Sequence, residues 1–448
     1  MSRPAHHATD MGRPRPISLV RRLLWTALGL SLLLLLGLLL PVWQGLQREP
    51  LPALIGPAAL AEPDPQLVER GAYLARAGNC AACHTARGGP AYAGGEAIAT
   101  PFGRAYGGNL TPDPQHGIGL WSADAFWRAL HEGRSRDGRL LNPVFPYDSF
   151  THITREDSDA LYAFLRSLPP VAQPSTPQGL RFPFNQQAAL AAWQALYFEP
   201  GALAPEPARG AEWNRGAYLV RGLGHCAACH ATRDPLGGIR EGRHFTGGLM
   251  AGQGWYAPSL HDPAEAGVGT WDVSNTVALL KTGSTLGAAA EQQATVQGPM
   301  AEVVFHSTQH LSEADLRAMA VYLQGLDSGP APLGPFVHAE PSQLALGEQV
   351  YRQHCIDCHG ASGEGAPAAY PALAGNRTVT MPSSVNALQA ILSGGFAPST
   401  AGNPRPYGMP PYRTILTNAE IAAVGSFIRQ SWGNEAGAVS TLDVQRVR

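Results

Sequence analysis

The most apolar stretch of the chain lies near its N-terminus, over residues 23–43, and is rich in leucine on every face. No charged residue interrupts it, and a helix of this length matches the bilayer hydrocarbon core of about 30 Å. Arginines precede the stretch, whereas Arg48 and Glu49 follow it and offset one another. The positive-inside rule therefore predicts a single-pass transmembrane helix with the N-terminus in the cytoplasm and the remaining chain on the periplasmic side of the inner membrane.

A cleaved signal peptide is the competing interpretation of this N-terminus. The triplet Ala59-Leu60-Ala61 has the small-x-small form that signal peptidase cuts. The apolar run exceeds the usual signal core of about 7–15 residues, and the triplet lies well beyond it, which favours a retained anchor. Both interpretations export the chain, and cleavage stays an open alternative.

After the anchor, amphipathic helical periods alternate with loops rich in glycine and proline, and the pattern occurs three times. Stretches with helical apolar spacing predict opening helices at 67–76, 213–221 and 344–352. Closing helices are predicted after Thr154, Ser312 and Thr417, because each of these hydroxyl residues has an acidic residue three positions later. The pattern predicts an all-α protein of three tandem units.

The length of 448 residues agrees with about three domains. The predicted segments are a cytoplasmic tail at 1–22, the anchor at 23–43, a linker at 44–65, domain 1 at 66–172, a connecting segment at 173–208, domain 2 at 209–330, domain 3 at 331–434 and a C-terminal tail at 435–448.

Composition narrows the function classes. Charged residues make up 15% of the chain and the formal net charge is −2, so there is no polycationic surface and no nucleic-acid partner is expected. Hydrophobic residues make up 44%, which is enough for packed cores despite 51 glycines and 39 prolines.

The six cysteines occur only in three C-x-x-C-H motifs, one in each unit. This spacing places two thiols on one helical turn, where they can bond to the vinyl groups of a haem while the adjacent imidazole binds the iron. Redox dithiols, half zinc sites and a disulfide scaffold are the alternatives, and the threefold repetition without any other cysteine disfavours them. The motif predicts three covalently bound haem c groups. The attaching thiols are Cys80, Cys83, Cys226, Cys229, Cys355 and Cys358, and the proximal iron ligands are His84, His230 and His359.

Methionine is the expected sixth ligand of an electron-carrying haem. Met300 and Met409 each lie beside a proline before a closing helix, so they are predicted as the distal ligands in domains 2 and 3. Domain 1 contains no methionine, and Phe145 occupies the corresponding place. His152 is the candidate there, with an open or water-bound iron as the alternative.

From about residue 66 to 433 the chain resembles the three-haem cytochrome c subunits of bacterial membrane-bound dehydrogenases. Segments that carry the resemblance are GAYLAR at 71–76, EWNRGAYLV at 212–220 and GPMAEVV at 298–304. In that family the haem subunit takes electrons from a separate catalytic subunit and passes them to ubiquinone in the membrane. The resemblance implies the cytochrome c fold and a chain that is not an enzyme by itself.

The partner dehydrogenase is indicated by one departure from the family pattern. Phe145-Pro146-Tyr147 stands where the alcohol and gluconate branch usually has Met-Pro-Tyr, and it resembles the subunits that accompany molybdenum hydroxylases. An aldehyde dehydrogenase of molybdenum type, with a small iron–sulfur subunit, is therefore favoured over an alcohol or gluconate dehydrogenase. A peroxidase-like enzyme with an open first haem and an electron donor to a terminal oxidase are the alternative functions.

Overall fold

The computed structural model describes residues 19–47, 49–56, 62–240, 242–250, 252–285, 293–327, 336–367 and 369–448. Residues 1–18 of the predicted cytoplasmic tail and the candidate cleavage site at 59–61 lie outside these ranges. The predicted all-α class agrees with what is described, since the cores are built from helices and the strands are short.

The predicted N-terminal span falls within the first helix, α1, Leu19–Leu46. Among the described residues, no helix is long and apolar enough to cross a membrane.

The other helices divide among three units, each containing one C-x-x-C-H motif. Unit one contains α2 Pro65–Ala77, α3 Cys80–His84, α4 Ala123–Glu132, α5 Tyr147–Phe150 and α6 Arg155–Ser167, and α7 Gln187–Tyr197 lies in the connecting segment. Unit two contains α8 Ala211–Tyr218, a π-helix Leu219–Leu223, α9 Ala227–His230, α10 Val273–Thr282, α11 Pro299–His306, a 3-10 helix Thr308–His310 and α12 Glu313–Gln324. Unit three contains α13 Pro341–His354, α14 Ile356–His359, α15 Arg377–Thr380, α16 Val385–Ser393, α17 Asn418–Gln430 and α18 Thr441–Val447.

Short antiparallel strands occur in the loops between these helices. The strands are β1 Ala97–Thr100, β2 Gly103–Tyr106, β3 Gly179–Leu180, β4 Gly248–Met250, β5 Trp255–Ala257, β6 Gly395–Phe396 and β7 Gly408–Met409. They form one sheet in the order β1-β2-β3 and the pairs β4-β5 and β6-β7. In the last pair Met409 lies opposite Gly395.

In every unit the opening helix crosses the closing helix, and a glycine allows the close approach. A Cβ atom on that glycine would collide with a carbonyl oxygen of the closing helix, because the two backbones touch there. The distance from such a Cβ to the carbonyl oxygen would be 1.9 Å between Gly71 and Ala160, 1.9 Å between Gly216 and Ala318, and 2.3 Å between Gly347 and Ala423.

The predicted caps of the closing helices are confirmed. The side chains of Thr154, Ser312 and Thr417 accept the backbone N–H three residues later. Of these three, Thr417 alone forms a full capping box, with Glu420 accepting the N–H of Thr417 in return. The corresponding acids in the first two units bind other groups instead.

The buried apolar side chains form two main clusters that do not follow three separate domains. One continuous cluster spans units one and two, and it includes Leu74, Leu161, Leu219 and Leu316. A second cluster, around Leu388, belongs to unit three. Helix α18, in the segment predicted as a C-terminal tail, contributes Val444 to this second core.

Helix α1 is fixed to unit one at its C-terminal end. Its residue Val42 packs against the apolar helix α7. The guanidinium of Arg134 donates to the carbonyl oxygens of Gly45 at 3.0 Å and Gln47 at 3.2 Å. Because these oxygens have no partner within the helix, the arginine caps the end of α1.

Candidate functional site: three haem-attachment turns

Each C-x-x-C-H motif forms one short helical turn directly after the opening helix of its unit. In the first two units the chain enters this turn through a left-handed residue, with φ of 50° at Asn79 and 36° at His225. The reversal separates the turn from the opening helix and brings two cysteines and a histidine to one side of a single turn.

The thiols are available for attachment. All six cysteines are free, none of them is fully buried, and Cys83 and Cys358 are exposed. Each pair can therefore bond to the two vinyl groups of one haem.

The imidazoles of the three motif histidines are held in the same way. In each unit the ring Nδ1 donates to a backbone carbonyl oxygen from a later loop, which orients the ring and leaves Nε2 as the nitrogen available to a metal. The Nδ1-to-oxygen pairs are His84 with Gly108 at 2.7 Å, His230 with Pro258 at 2.7 Å and His359 with Pro371 at 3.0 Å.

Desolvation favours the neutral form of these rings. Desolvation lowers the pKa of His84, His230 and His359 below the ordinary value of 6.5, although the carbonyl contact acts in the opposite direction. A neutral imidazole has the lone pair that iron coordination needs.

The carbonyl partners of these histidines are functional groups that the sequence argument missed. A signal for them exists, because each carbonyl residue lies two positions before a leucine. The three segments are Gly108-Asn109-Leu110, Pro258-Ser259-Leu260 and Pro371-Ala372-Leu373. Every residue has a backbone oxygen, so the sequence does not show which of them binds a side chain. Without the contact to the imidazole ring, this repeat would be interpreted as core packing.

A haem group fits these surroundings. The thiol pairs and oriented imidazoles supply the donors that haem c requires. In unit two the indole nitrogen of Trp271 is buried and has no hydrogen-bond partner among the described residues. An unpaired buried N–H is costly, and a carboxylate such as a haem propionate would satisfy it.

The structure locates both predicted methionine ligands beside their own cores. Met300 lies in the first turn of α11, which Pro299 begins, and packs against the cluster that contains Ala227 within the second motif and Ala231 directly after it. Met409 lies on β7 and packs, like Cys355, against the core of unit three. No described contact joins either sulfur to its motif histidine.

The predicted distal ligand of domain 1, His152, lies at the boundary with unit two. Its Nδ1 donates to the carbonyl oxygen of Gly201 at 3.0 Å, and a Cβ on Gly222 would lie 3.7 Å from its own Cβ. No contact between His152 and His84 occurs among the described residues. Phe145 packs against Phe150, with ring centroids 5.3 Å apart.

The first two attachment turns lie close together. His225, which precedes the second motif, donates from Nε2 to the carbonyl oxygen of Gly78, which precedes the first, at 3.3 Å. Helix α11 of unit two, which contains Met300, also contacts the first attachment turn α3.

Comparison with known proteins gives a matching family and close relatives. The cytochrome c family matches residues 68–169 and 344–432, which contain the first and third motifs. One of the subunits of nicotinate dehydrogenase from Pseudomonas putida is 40% identical over 379 residues, covering 83% of this chain but 31% of that protein.

Two further relatives are matched over most of their own length. The cytochrome c subunit of the quinone alcohol dehydrogenase of Gluconacetobacter polyoxogenes is 36% identical over 417 residues, 88% of each chain. A diheme cytochrome c-type protein of Cereibacter sphaeroides is 37% identical over 265 residues, 57% of this chain and 84% of the relative.

Proposed function

Because this chain belongs to the family of cytochrome c subunits of dehydrogenase complexes, we propose that it carries electrons from a catalytic dehydrogenase subunit to ubiquinone through three haem c groups. Cytochrome c domains hold haem covalently, and this family transfers electrons instead of oxidising the substrate itself. Catalysis therefore takes place on another chain, as the sequence predicts.

The repeated imidazole geometry is the observation that carries the proposal of three haems. The second motif has the same Nδ1-to-carbonyl contact as the first and third, at 2.7 Å, although the family match covers only the outer two. Three equal donor sets support three equal attachment sites. When bound, the haem iron supplies one-electron chemistry, and the chain supplies the thioether bonds, the neutral histidine and the surrounding burial.

The sixth ligands are proposed from chain position and packing. Met300 and Met409 each pack against the core that flanks their own attachment turn, which supports them as the distal ligands of the second and third haems. For the first haem we propose His152, because its Nδ1 is held by a carbonyl as in the proximal histidines and its Nε2 stays available.

The proposed catalytic partner is an aldehyde dehydrogenase of molybdenum type with a small iron–sulfur subunit. Phe145 in place of the family methionine supports this choice. The relative that is 40% identical is named for nicotinate, an N-heterocycle, and the relative named for alcohol is 36% identical. An alcohol or gluconate dehydrogenase is the other partner class.

We propose that α1 attaches the chain to the inner membrane with the three units on the periplasmic side. Leu24 and Trp25 near its start and Trp43 near its end are 59–65% exposed, so apolar side chains point away from the protein. A single-pass span predicts that alkaline carbonate leaves the chain in the membrane and that a tag at residue 1 is protected from periplasmic protease. Release by carbonate would instead limit the attachment to the membrane surface.

The test of the proposed function is reconstitution with the catalytic partner. Purification of the full chain from solubilised membranes should bring down a dehydrogenase, and pyridine haemochrome analysis should give three haems for each chain. Addition of the partner's substrate should reduce the haems, and a ubiquinone analogue should reoxidise them.

A variant without the two thiols of the second motif tests whether that motif binds a haem. Cys226→Ser with Cys229→Ser should lower the haem content from three to two and leave the other two spectra unchanged, because each attachment turn has its own thiol pair and histidine. Two haems in the unaltered chain, or no reduction by any copurified dehydrogenase, would refute the proposal.

A further inference from the structure

Units one and two are joined by two hydrogen bonds that cross between them in opposite directions. The phenol of Tyr73, on the opening helix of unit one, donates to Oδ2 of Asp315 on the closing helix of unit two at 2.6 Å. The phenol of Tyr218, on the opening helix of unit two, donates to Oδ2 of Asp157 on the closing helix of unit one at 2.6 Å. The two hydrogen bonds are therefore related by a pseudo-twofold symmetry that exchanges unit one with unit two.

Each tyrosine also replaces the missing half of a capping box. The phenol oxygen of Tyr73 accepts the backbone N–H of Ser312 at 3.2 Å, and that of Tyr218 accepts the N–H of Thr154 at 3.1 Å. These are the cap residues of the closing helices, whose N–H groups would otherwise need an acid of their own helix. The start of each closing helix is thus completed by the opposite unit.

An arginine of the same unit holds each aspartate in place. Arg70 lies 2.5 Å from Asp157, and Arg215 lies 2.8 Å from Asp315. The aspartate side chains are 4% and 12% exposed, so both hydrogen bonds act where water competes little. Each buried carboxylate is therefore held by an arginine of its own unit and by a tyrosine of the other unit.

Unit three lacks the residues that make this contact. Gly347 corresponds to Gly71, since both pack on a carbonyl oxygen of the closing helix. The arginine before Gly71 and the tyrosine two residues after it are replaced by Leu346 and Gln349. The acid of its cap, Glu420, closes its own capping box and needs no outside partner. The crossing contact is thus specific to the first two units.

We propose that Tyr73 and Tyr218 are positioning residues that clasp units one and two as a pseudo-twofold pair, so that their attachment turns face each other and electrons pass directly between the first two haems. This inference rests on the proposed function. The contact from His225 to Gly78 joins the segments that lead into the two attachment turns across the same interface.

The clasp fixes distance and orientation and takes no part in the chemistry. The two phenol-to-carboxylate bonds cross the interface in opposite directions and so restrict sliding of one unit past the other. Without them, the shared apolar cluster and the remaining hydrogen bonds, such as that from His225 to Gly78, still hold the units together. The apolar contacts are non-directional, so the loss of two directional bonds widens the range of orientations. Electron transfer between two haems depends on their separation, so a looser pair transfers more slowly.

The test compares the full haem-loaded chain with the double variant Tyr73→Phe with Tyr218→Phe. Amide hydrogen exchange is followed at 147–154 and 307–315, and the rate between the first two haems is followed after rapid photoreduction. We expect exchange at both segments to rise about tenfold, since a hydrogen bond to a charged group contributes about that factor to an equilibrium constant. The transfer rate should fall while the absorption spectrum of each haem stays unchanged.

Tyr162→Phe is the matched control, because Tyr162 also donates from a partly buried phenol, to the carbonyl oxygen of Trp121 within unit one, at 2.5 Å. It should leave exchange at 307–315 and the inter-haem rate unchanged. An equal effect of Tyr162→Phe, or unaltered exchange and rate in the double variant, overturns the clasp.

If the double variant fails to take up haem, the single variants are measured instead, since each retains one crossing bond. Unaltered exchange and rate in both single variants overturn the proposal. Failure of the proposed function is a separate result, because it appears as absent haem or absent reduction in the unaltered chain, whereas hydrogen exchange reports on the clasp directly.

Discussion

At the scale of single residues, the histidine that follows each cysteine pair depends on an oxygen far along the chain. Gly108, Pro258 and Pro371 each direct a backbone carbonyl at Nδ1 of the motif imidazole. The same oxygen fixes the tautomer and the ring plane, and so determines which nitrogen faces the metal. The three sites share this arrangement, although the carbonyl belongs to a glycine in unit one and to a proline in units two and three.

The first haem provides a residue-scale prediction. His152→Ala should convert one low-spin haem to a high-spin form, because loss of an imidazole leaves the iron five-coordinate or water-bound. Electron paramagnetic resonance of the oxidised chain measures this, with His116→Ala in the same unit as the control. If all three haem signals survive in the His152 variant, or if one haem is already high-spin in the unaltered chain, His152 is not the ligand.

Acid should weaken the contact made by Asp315. Its burial favours the neutral form, but hydrogen bonds from Arg215 and Tyr73 prevail and lower the pKa of this carboxyl below 3.8. A carboxyl with a lowered folded-state pKa stabilises the fold above its ordinary pKa, and the contribution disappears as the pH falls through the lowered value.

Asp315→Asn isolates this contribution. At pH 6 the variant should be less stable by about 2 kcal/mol, since it weakens hydrogen bonds to a charged group. The difference in thermal midpoint from the unaltered chain should shrink below pH 3.8, because the other carboxyls titrate equally in both proteins. A difference that stays constant from pH 6 to pH 3 would contradict this assignment.

At the scale of helices, the crossing of opening and closing helices depends on the absence of a side chain. A Cβ on Gly347 would lie 2.3 Å from the carbonyl oxygen of Ala423, so the two helices of unit three must separate to admit a methyl group. The same contact recurs in units one and two, which makes it the common element of the three packings.

Gly347→Ala should therefore destabilise unit three by about 2–3 kcal/mol, a typical cost of overpacking. Gly425→Ala, on the closing helix α17, is the control, because its nearest neighbour to a Cβ is Val439 at 3.4 Å. This substitution should be neutral or stabilise by about 0.5–1 kcal/mol through helix propensity. Urea unfolding of the full chain measures both, and equal effects of the two alanines would show that the crossing is not close.

At the scale of the whole molecule, the chain is a joined pair of units followed by a third. Units one and two share one apolar cluster, whereas unit three has its own. Polar contacts link the second and third units, such as the amide of Asn386 with both backbone groups of Tyr256 at 2.7 and 3.0 Å.

Truncation after residue 327 should therefore leave a folded chain with two haems. The cut spares the shared cluster and removes only the third core. Haem content for each chain and far-ultraviolet circular dichroism measure the outcome. Truncation after residue 172 is the comparison, since it divides the shared cluster and should give poor haem uptake. Equal behaviour of the two truncated chains would contradict the paired arrangement.

Several features of the fold follow from the sequence because they depend on neighbours in the chain. The opening helices predicted at 67–76 and 344–352 form as Pro65–Ala77 and Pro341–His354. The cap at Ser312 and the single turn of each C-x-x-C-H motif follow equally directly. Helical periodicity, caps and motif spacing depend on residues three or four positions apart, so the sequence alone is sufficient to predict them.

Only the tertiary structure decided how the units face one another and what orients their histidines. The bond from Tyr73 to Asp315 joins residues 242 positions apart, and His84 depends on an oxygen 24 positions away. The sequence contains GAYL twice, and Asp157 and Asp315 each follow a helix cap. No local feature of the sequence shows that each of these acids binds the tyrosine of the other unit. Such a pairing is selected by the packing of whole helices against each other, and that depends on every contact in the interface at once.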